Sequence, residues 1–204
     1  MGGANAFAYA VGHPEQVAAL VIEDIGAGSY ETGAGKERIL RELHQTPSSF
    51  SSWDEAANFW RRIRPRISAD ALNSRLTETL VVKEDKIAWR YDFEGVRKAR
   101  LQAAQDPSKL PDLWLCIDNL LCPTLVIRGA NSDFVTADSL ASMRGRNHRI
   151  ETHEIPDATH YVHDDNLPDF LLAIEGFLGR RFSPKGIVFY YAVLNYSVCK
   201  FDAL

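Results

Sequence analysis

The sequence predicts an α/β fold built on a parallel sheet, and three observations predict it. The runs VAALVIEDI at 17–25 and CPTLVIRG at 122–129 are almost continuously apolar. They have strand length and no polar face, as strands covered on both sides require. Between and around such runs, apolar residues recur at helical period. Strands alternating with helices then argue for a layered α/β arrangement.

Taken in order, Ala4, Phe7, Ala8 and Val11 form the apolar stripe of a first helix, which Gly12 and Pro14 stop. Two glycines at its start, where helix propensity is poor, imply a backbone that lies close to something. Val17–Ile25 is the first strand. The Gly-rich stretch GAGSYETGAGK at 26–36 invites a phosphate-loop reading, but Tyr30 stands where the first glycine should be and Glu37 where Ser or Thr should follow Lys36. It reads as a flexible exit from the sheet.

Residues 36 to about 119 read as helices with little strand. Ser52 and Glu55 have capping-box spacing ahead of a stripe of Ala56, Phe59, Trp60 and Ile63. Leu72, Leu76 and Leu80 form another stripe, Lys83-Glu84-Asp85 a polar turn, Lys86–Tyr91 a short extended piece, and Phe93–Gln105 a helix. Residues 122–129 then give a buried strand ending in glycine, Thr136–Arg144 a helix, and Arg149–Ile155 a strand. Asn166 and Pro168 start a last helix with Phe170, Leu171, Ile174, Phe177 and Leu178 on one side. The division expected is 1–30 as core helix and strand, 31–118 as a helical insertion, 119–182 as returning core, and 183–204 as an atypical tail. That tail is β-prone and nearly uncharged, a self-association hazard. Its 13-residue apolar run, Ile187 to Cys199, is too short for a bilayer.

Composition excludes several classes. With 204 residues, 46% apolar, 25% charged and a net charge of −4, the chain reads as soluble and globular, one domain of ordinary size or one domain with a subdomain, with no bias toward nucleic acid. The basic cluster at Arg61–Arg66 reads as a solvated helix face. No basic, apolar leader opens the chain, so a cytoplasmic location is the default. Cys116, Cys122 and Cys199 make neither a disulfide framework nor a zinc pattern.

In open α/β sheets, ligands sit beyond the carboxyl ends of the strands. Two loops there carry chemistry. The first is Gly129-Ala130-Asn131-Ser132-Asp133-Phe134, which offers a carboxylate. The second is Pro156–Asp164, which offers His160. A neutral imidazole takes a proton from a hydroxyl near pH 7, and a carboxylate on its other nitrogen fixes the tautomer. Asp157 and Asp138 compete with Asp133, but Asp157 is too near His160 along the loop and Asp138 falls in a helix. His163-Asp164-Asp165 could be read as metal ligands, yet adjacent loop residues do not converge on an ion without others. His148 and His153 flank a strand, and His13 belongs to a helix stop.

What is missing is a nucleophile. The opening MGGANAFAYAVGHPEQVAALVIEDIG resembles the segment directly after the nucleophile in the α/β-hydrolase family. That family carries G-x-S-x-G on a strand-to-helix turn. Met1 matches the residue after the serine and Gly2 the closing glycine. RGANSDFV resembles the family's acid loop and IPDATHYVHDDNLPDF its histidine loop. The resemblance therefore implies Asp133 as acid, His160 as base, and Met1 and Gly2 as remnants of the elbow and oxyanion hole. It implies the last three parallel strands of the family's sheet with flanking helices, and a helical cap that sets substrate size. The implied activity is covalent hydrolysis of an ester, amide or similar small substrate, with no cofactor and no metal. Because the chain begins one residue after the expected nucleophile, it is expected to be truncated, inactive alone and poorly soluble, with an exposed strand edge. The alternative reading is a non-catalytic remnant or protein-interaction module.

Overall fold

The computed structural model describes residues 2–29, 34–106, 108 and 110–182, and the backbone of 190–193 and 197–200. Met1, expected at the elbow, lies outside the described residues. Along the chain, α1 (Gly2–Gly12) and β1 (Leu20–Glu23) are followed by α2 (Ala34–Gln45), β2 (Ser49–Phe50), α3 (Trp53–Ile63) and α4 (Ala69–Thr79). Next come β3 (Leu80–Lys83), β4 (Lys86–Trp89), α5 (Phe93–Gln105), α6 (Leu113–Asn119), β5 (Thr124–Gly129) and α7 (Ala137–Arg146). The order closes with β6 (Ile150–Ile155), α8 (Val162–Asp165), α9 (Leu167–Gly179), β7 (Tyr190–Val193) and β8 (Ser197–Lys200). Two compact units result: Met1–Lys36 with Pro107–Leu204, and Glu37–Asp106.

In the first unit, β1, β5 and β6 form a sheet in the order β1-β5-β6, with both pairings parallel. Side-chain alternation divides its core in two. Ile22, Val126 and Ile150 join Phe7 of α1, Ile117 of α6 and Met143 of α7. Leu125, Ile127 and Ile155 join Phe170, Ile174 and Phe177 of α9. This two-sided burial is why the strands read as unbroken apolar runs. At the start of α1, a Cβ on Gly3 would stand 3.0 Å from Ile25 Cβ. Gly3 thus marks a close approach of the kind the sequence implied. Phe7 is wholly buried in that cluster. Phe7→Ala should cost about 3–5 kcal/mol, read as a lower urea midpoint at unchanged slope.

The second unit departs from the expectation of helices with little strand. It contains a three-stranded antiparallel sheet, β2-β4-β3. The Leu72, Leu76, Leu80 stripe stays helical only to Thr79, and Leu80 opens β3. Glu84 and Asp85 both take positive φ, 49° and 61°, as a two-residue type I′ hairpin demands. The polar turn is therefore a β-hairpin turn. Phe50, Phe59, Trp60, Trp89 and Phe93 are buried together behind it.

Side-chain caps explain where most helices begin. Ser52, Ser68, Asp92, Asp112, Thr136 and Asn166 each accept from a backbone N–H in the first turn of α3, α4, α5, α6, α7 and α9. At α3 the Glu55 carboxylate reaches back to the Ser51 N–H at 2.7 Å, one residue earlier than the standard capping box. In the tail, β7 and β8 pair as an antiparallel hairpin.

Candidate active site

The site grows from the carboxyl end of β1. The strand is extended to Glu23, and then Asp24 turns into the left-handed region at φ 45°, which Asp tolerates better than most residues. Its backbone N–H donates to the Ile127 carbonyl of β5 at 2.7 Å. The carboxylate is completely buried, and burying a charge is costly unless every lone pair finds a donor. Gly129 N–H donates to Oδ1 at 3.1 Å and Ser132 Oγ to Oδ2 at 2.6 Å. His160 Nδ1 lies 2.8 Å from the same Oδ2.

The His160 loop crosses the end of β5 to reach this carboxylate. Asp157 makes its turn with φ 56°. Asn131 N–H then donates to the Ala158 carbonyl at 2.8 Å, and Thr159 gives both its N–H and its hydroxyl to Asp165 Oδ2. Gly129 makes the crossing possible: a Cβ there would stand 2.2 Å from the Thr159 carbonyl oxygen and 2.5 Å from that of Ala158. The His160 ring is buried between Phe134, with ring centres 4.6 Å apart, and Tyr161, at 5.0 Å edge-on. Against an ionised carboxylate Nδ1 is the donor, which leaves a lone pair on Nε2. Among the described residues Nε2 makes no hydrogen bond.

The structure thus brings His160 to a carboxylate, but the residue on Nδ1 is Asp24, not the expected Asp133. Asp133 is exposed, and its backbone carbonyl accepts from Gly35 N–H at 3.1 Å. The neighbouring Ser132 is the residue of that loop that turns inward, toward Asp24. The difference has a physical cause. β1 lies beside β5, so its end delivers a buried carboxylate under the histidine loop. Gly2 is the first residue of α1. Asp24 carried a signal in the sequence: an acidic pair at the carboxyl end of an otherwise apolar buried strand.

The other member of that pair is also engaged. Glu23 accepts from the His163 N–H at 3.0 Å and meets His163 Nδ1 at 2.7 and 2.9 Å, while His163 Nε2 is 3.3 Å from Asp164 Oδ1. Burial, the largest influence, works against ionising Glu23. The charge of His163, its ring and backbone hydrogen bonds and the charge of His160 prevail, and hold the carboxyl below its ordinary 4.5. A carboxyl depressed in the folded state stabilises above its unfolded value and loses that contribution as pH falls. Between about pH 5.5 and 3 the chain should therefore lose stability more steeply than Glu23→Gln, measured by urea unfolding at each pH. Among the described residues no group of three or more His, Cys, Asp or Glu is arranged to hold a metal ion.

A family model described as alpha/beta hydrolase fold matches residues 1–167. The chain belongs to that family. It is 28% identical over 165 residues to a putative 2-succinyl-6-hydroxy-2,4-cyclohexadiene-1-carboxylate synthase of Bacillus subtilis, covering 80% of this chain and 57% of that protein. It is 22% identical over 180 residues to an sn-1-specific diacylglycerol lipase of Danio rerio, covering 87% of this chain and 55% of the lipase. Among solved structures, an α/β hydrolase from Novosphingobium aromaticivorans superposes with TM-score 0.68 at 27% identity, over 87% of this chain and 62% of that one. An E-2-(acetamidomethylene)succinate hydrolase superposes with TM-score 0.71 at 21% identity, over 86% and 62%. The chain therefore spans somewhat more than half the length of the curated relatives it matches. No helix among the described residues of this α/β-hydrolase chain is long and apolar enough to cross a membrane.

Proposed function

We propose that this chain supplies the acid–base half of a hydrolase of esters, amides or similar small substrates, with His160 as base and Asp24 as the carboxylate that orients it. The 2.8 Å contact between His160 Nδ1 and Asp24 Oδ2, with Nε2 left open, carries the reading. In the reaction, a serine-type hydroxyl attacks the acyl carbon while His160 Nε2 accepts its proton. Asp24 stabilises the resulting imidazolium, and the proton passes to the leaving group as the acyl bond breaks. The Met1 backbone N–H, an amide in a longer polypeptide, would be one oxyanion donor, Gly2 would close the elbow, and the second donor would come from an upstream loop of the family's fold. Phe134 and Tyr161 wall the imidazole with apolar surface, which favours an uncharged acyl group. Asp133 is retained as the second candidate acid on the strength of its loop's resemblance.

On the resemblance of residues 1–2 to the end of the family's G-x-S-x-G elbow, the nucleophile would stand ahead of residue 1, and these 204 residues by themselves should show no serine-type turnover. The test is p-nitrophenyl butyrate hydrolysis by the purified chain and by a polypeptide that places a strand ending in Gly-x-Ser ahead of residue 1. Fluorophosphonate-sensitive turnover in the longer polypeptide, abolished by His160→Ala, supports the proposal. Turnover that survives His160→Ala overturns the role given to His160, and no turnover in the longer polypeptide leaves the non-catalytic module. Among the described strands β1 pairs with β5 alone. We expect its other edge to make the isolated chain associate as concentration rises, which sedimentation velocity would read.

A further inference from the structure

Two consecutive carboxylates at the end of β1 grip one loop. Side chains of neighbouring strand residues point to opposite faces, so Glu23 and Asp24 would part company if the strand ran on. The left-handed turn at Asp24 ends the alternation, and both carboxylates reach the segment between β6 and α9. Asp24 takes His160, and Glu23 takes His163 three residues later. The Glu23 grip has two parts. Its Oε1 accepts the His163 backbone N–H, which fixes the chain, and its two oxygens flank Nδ1, which fixes the ring. Asp164, nearly buried, faces the far side of that ring at Nε2. From α9 the Phe170 ring packs against the imidazole with centres 6.0 Å apart.

The two histidines are therefore placed for different work. His163 is half-buried and has carboxylate oxygens at both ring nitrogens. His160 has a carboxylate at Nδ1 only. We propose that Glu23 and His163 are positioning residues: their contact pins the loop across the end of β5 and so keeps the His160 ring seated on Asp24 with Nε2 open. The inference rests on the reading of His160 as the base. Neither residue reaches the reacting atoms; both act through the placement of His160. These two adjacent pairs tie the loop directly to the end of β1. Losing Glu23–His163 leaves the His160–Asp24 contact as the remaining side-chain tie of the two.

The test is imidazole NMR on the full 204-residue chain labelled with 15N, far below its unfolding midpoint. In the wild-type chain the His160 Nδ1–H proton is expected as a slowly exchanging signal. Glu23→Ala and His163→Ala should each speed its exchange by tenfold or more, the equivalent of an opening easier by about 1.4 kcal/mol. Glu23→Gln, which still accepts the backbone N–H but lacks the charge, should recover part of the protection. A residue that only adds stability would lower the midpoint and leave the His160 signal unchanged. Protection persisting in folded Glu23→Ala and His163→Ala chains overturns the proposal. If either alanine variant does not fold, Glu23→Gln and His163→Gln decide, and wild-type protection in both overturns it. A wild-type chain without a protected Nδ1–H would instead overturn the pairing of His160 with Asp24, so the two failures are separate.

Discussion

Replacing Asp24 by Asn should lower kcat by about 10⁴ in a polypeptide that carries Gly-x-Ser ahead of residue 1, the size of loss known when the orienting aspartate of a serine protease is made an amide. The steric change is small and the electrostatic change is not. An Asn that keeps its oxygen toward Gly129 N–H turns its amide hydrogens toward His160 Nδ1. The imidazole then places its proton on Nε2, and the lone pair that should receive the hydroxyl proton is gone. Asp133→Asn is the comparison. Asp133 is exposed, and if it is only a loop residue its change should stay within about 0.5 kcal/mol in stability and roughly twofold in rate. A loss of about 10⁴ at Asp133 with little loss at Asp24 would return the acid role to the residue that the sequence resemblance favoured. Asp24→Ala in the chain itself should destabilise by about 1–3 kcal/mol for each donor left unsatisfied, since it strands Gly129 N–H and the Ser132 hydroxyl that now donate to the carboxylate. Chemical denaturation measures that directly.

Gly129→Ala should be the most damaging small substitution in the first unit. The new methyl would lie 2.2 Å and 2.5 Å from two successive carbonyl oxygens, Thr159 and Ala158. These are backbone atoms and cannot swing aside as a side-chain tip can. Relief requires the histidine loop to lift off β5 or the end of β5 to shift, and either movement pulls on the Gly129–Asp24 and Asp24–His160 contacts together. A cost of about 3 kcal/mol is expected, or a fall in midpoint of roughly 6–12 °C for a chain of this size. The His160 Nδ1–H signal should vanish well before global unfolding. A variant with wild-type stability and an intact His160 signal would show that the crossing is looser than the geometry implies.

Much of the fold was legible because it rests on local physics. The runs at 17–25 and 122–129 announced strands buried on both faces, and the core clusters on either side of the sheet explain why they lack a polar face. The helix expected from Phe93 to Gln105 spans those residues, and the structure adds its Asp92 cap. The antiparallel sheet of the second unit was not. β2 and β4 pair through Phe50 and Ile87, far apart in the chain, and short strands in a helix-rich stretch show no period long enough to separate them from turns. The Glu84-Asp85 turn lacked the glycine that usually betrays a type I′ hairpin.

For the site, the order of residues alone established which chemistry was on offer: one histidine loop, carboxylates at strand ends, and a family likeness that selects His160. Which carboxylate reaches the imidazole was settled in three dimensions. Asp24 and His160 stand 136 residues apart, and they meet because β1 lies beside β5 and the loop after β6 crosses back over that strand. Local pattern fixes what a segment can become, while the neighbour order of parallel strands comes from how whole layers bury their apolar faces. That packing puts the buried Asp24 under the ring and leaves Asp133 at the surface.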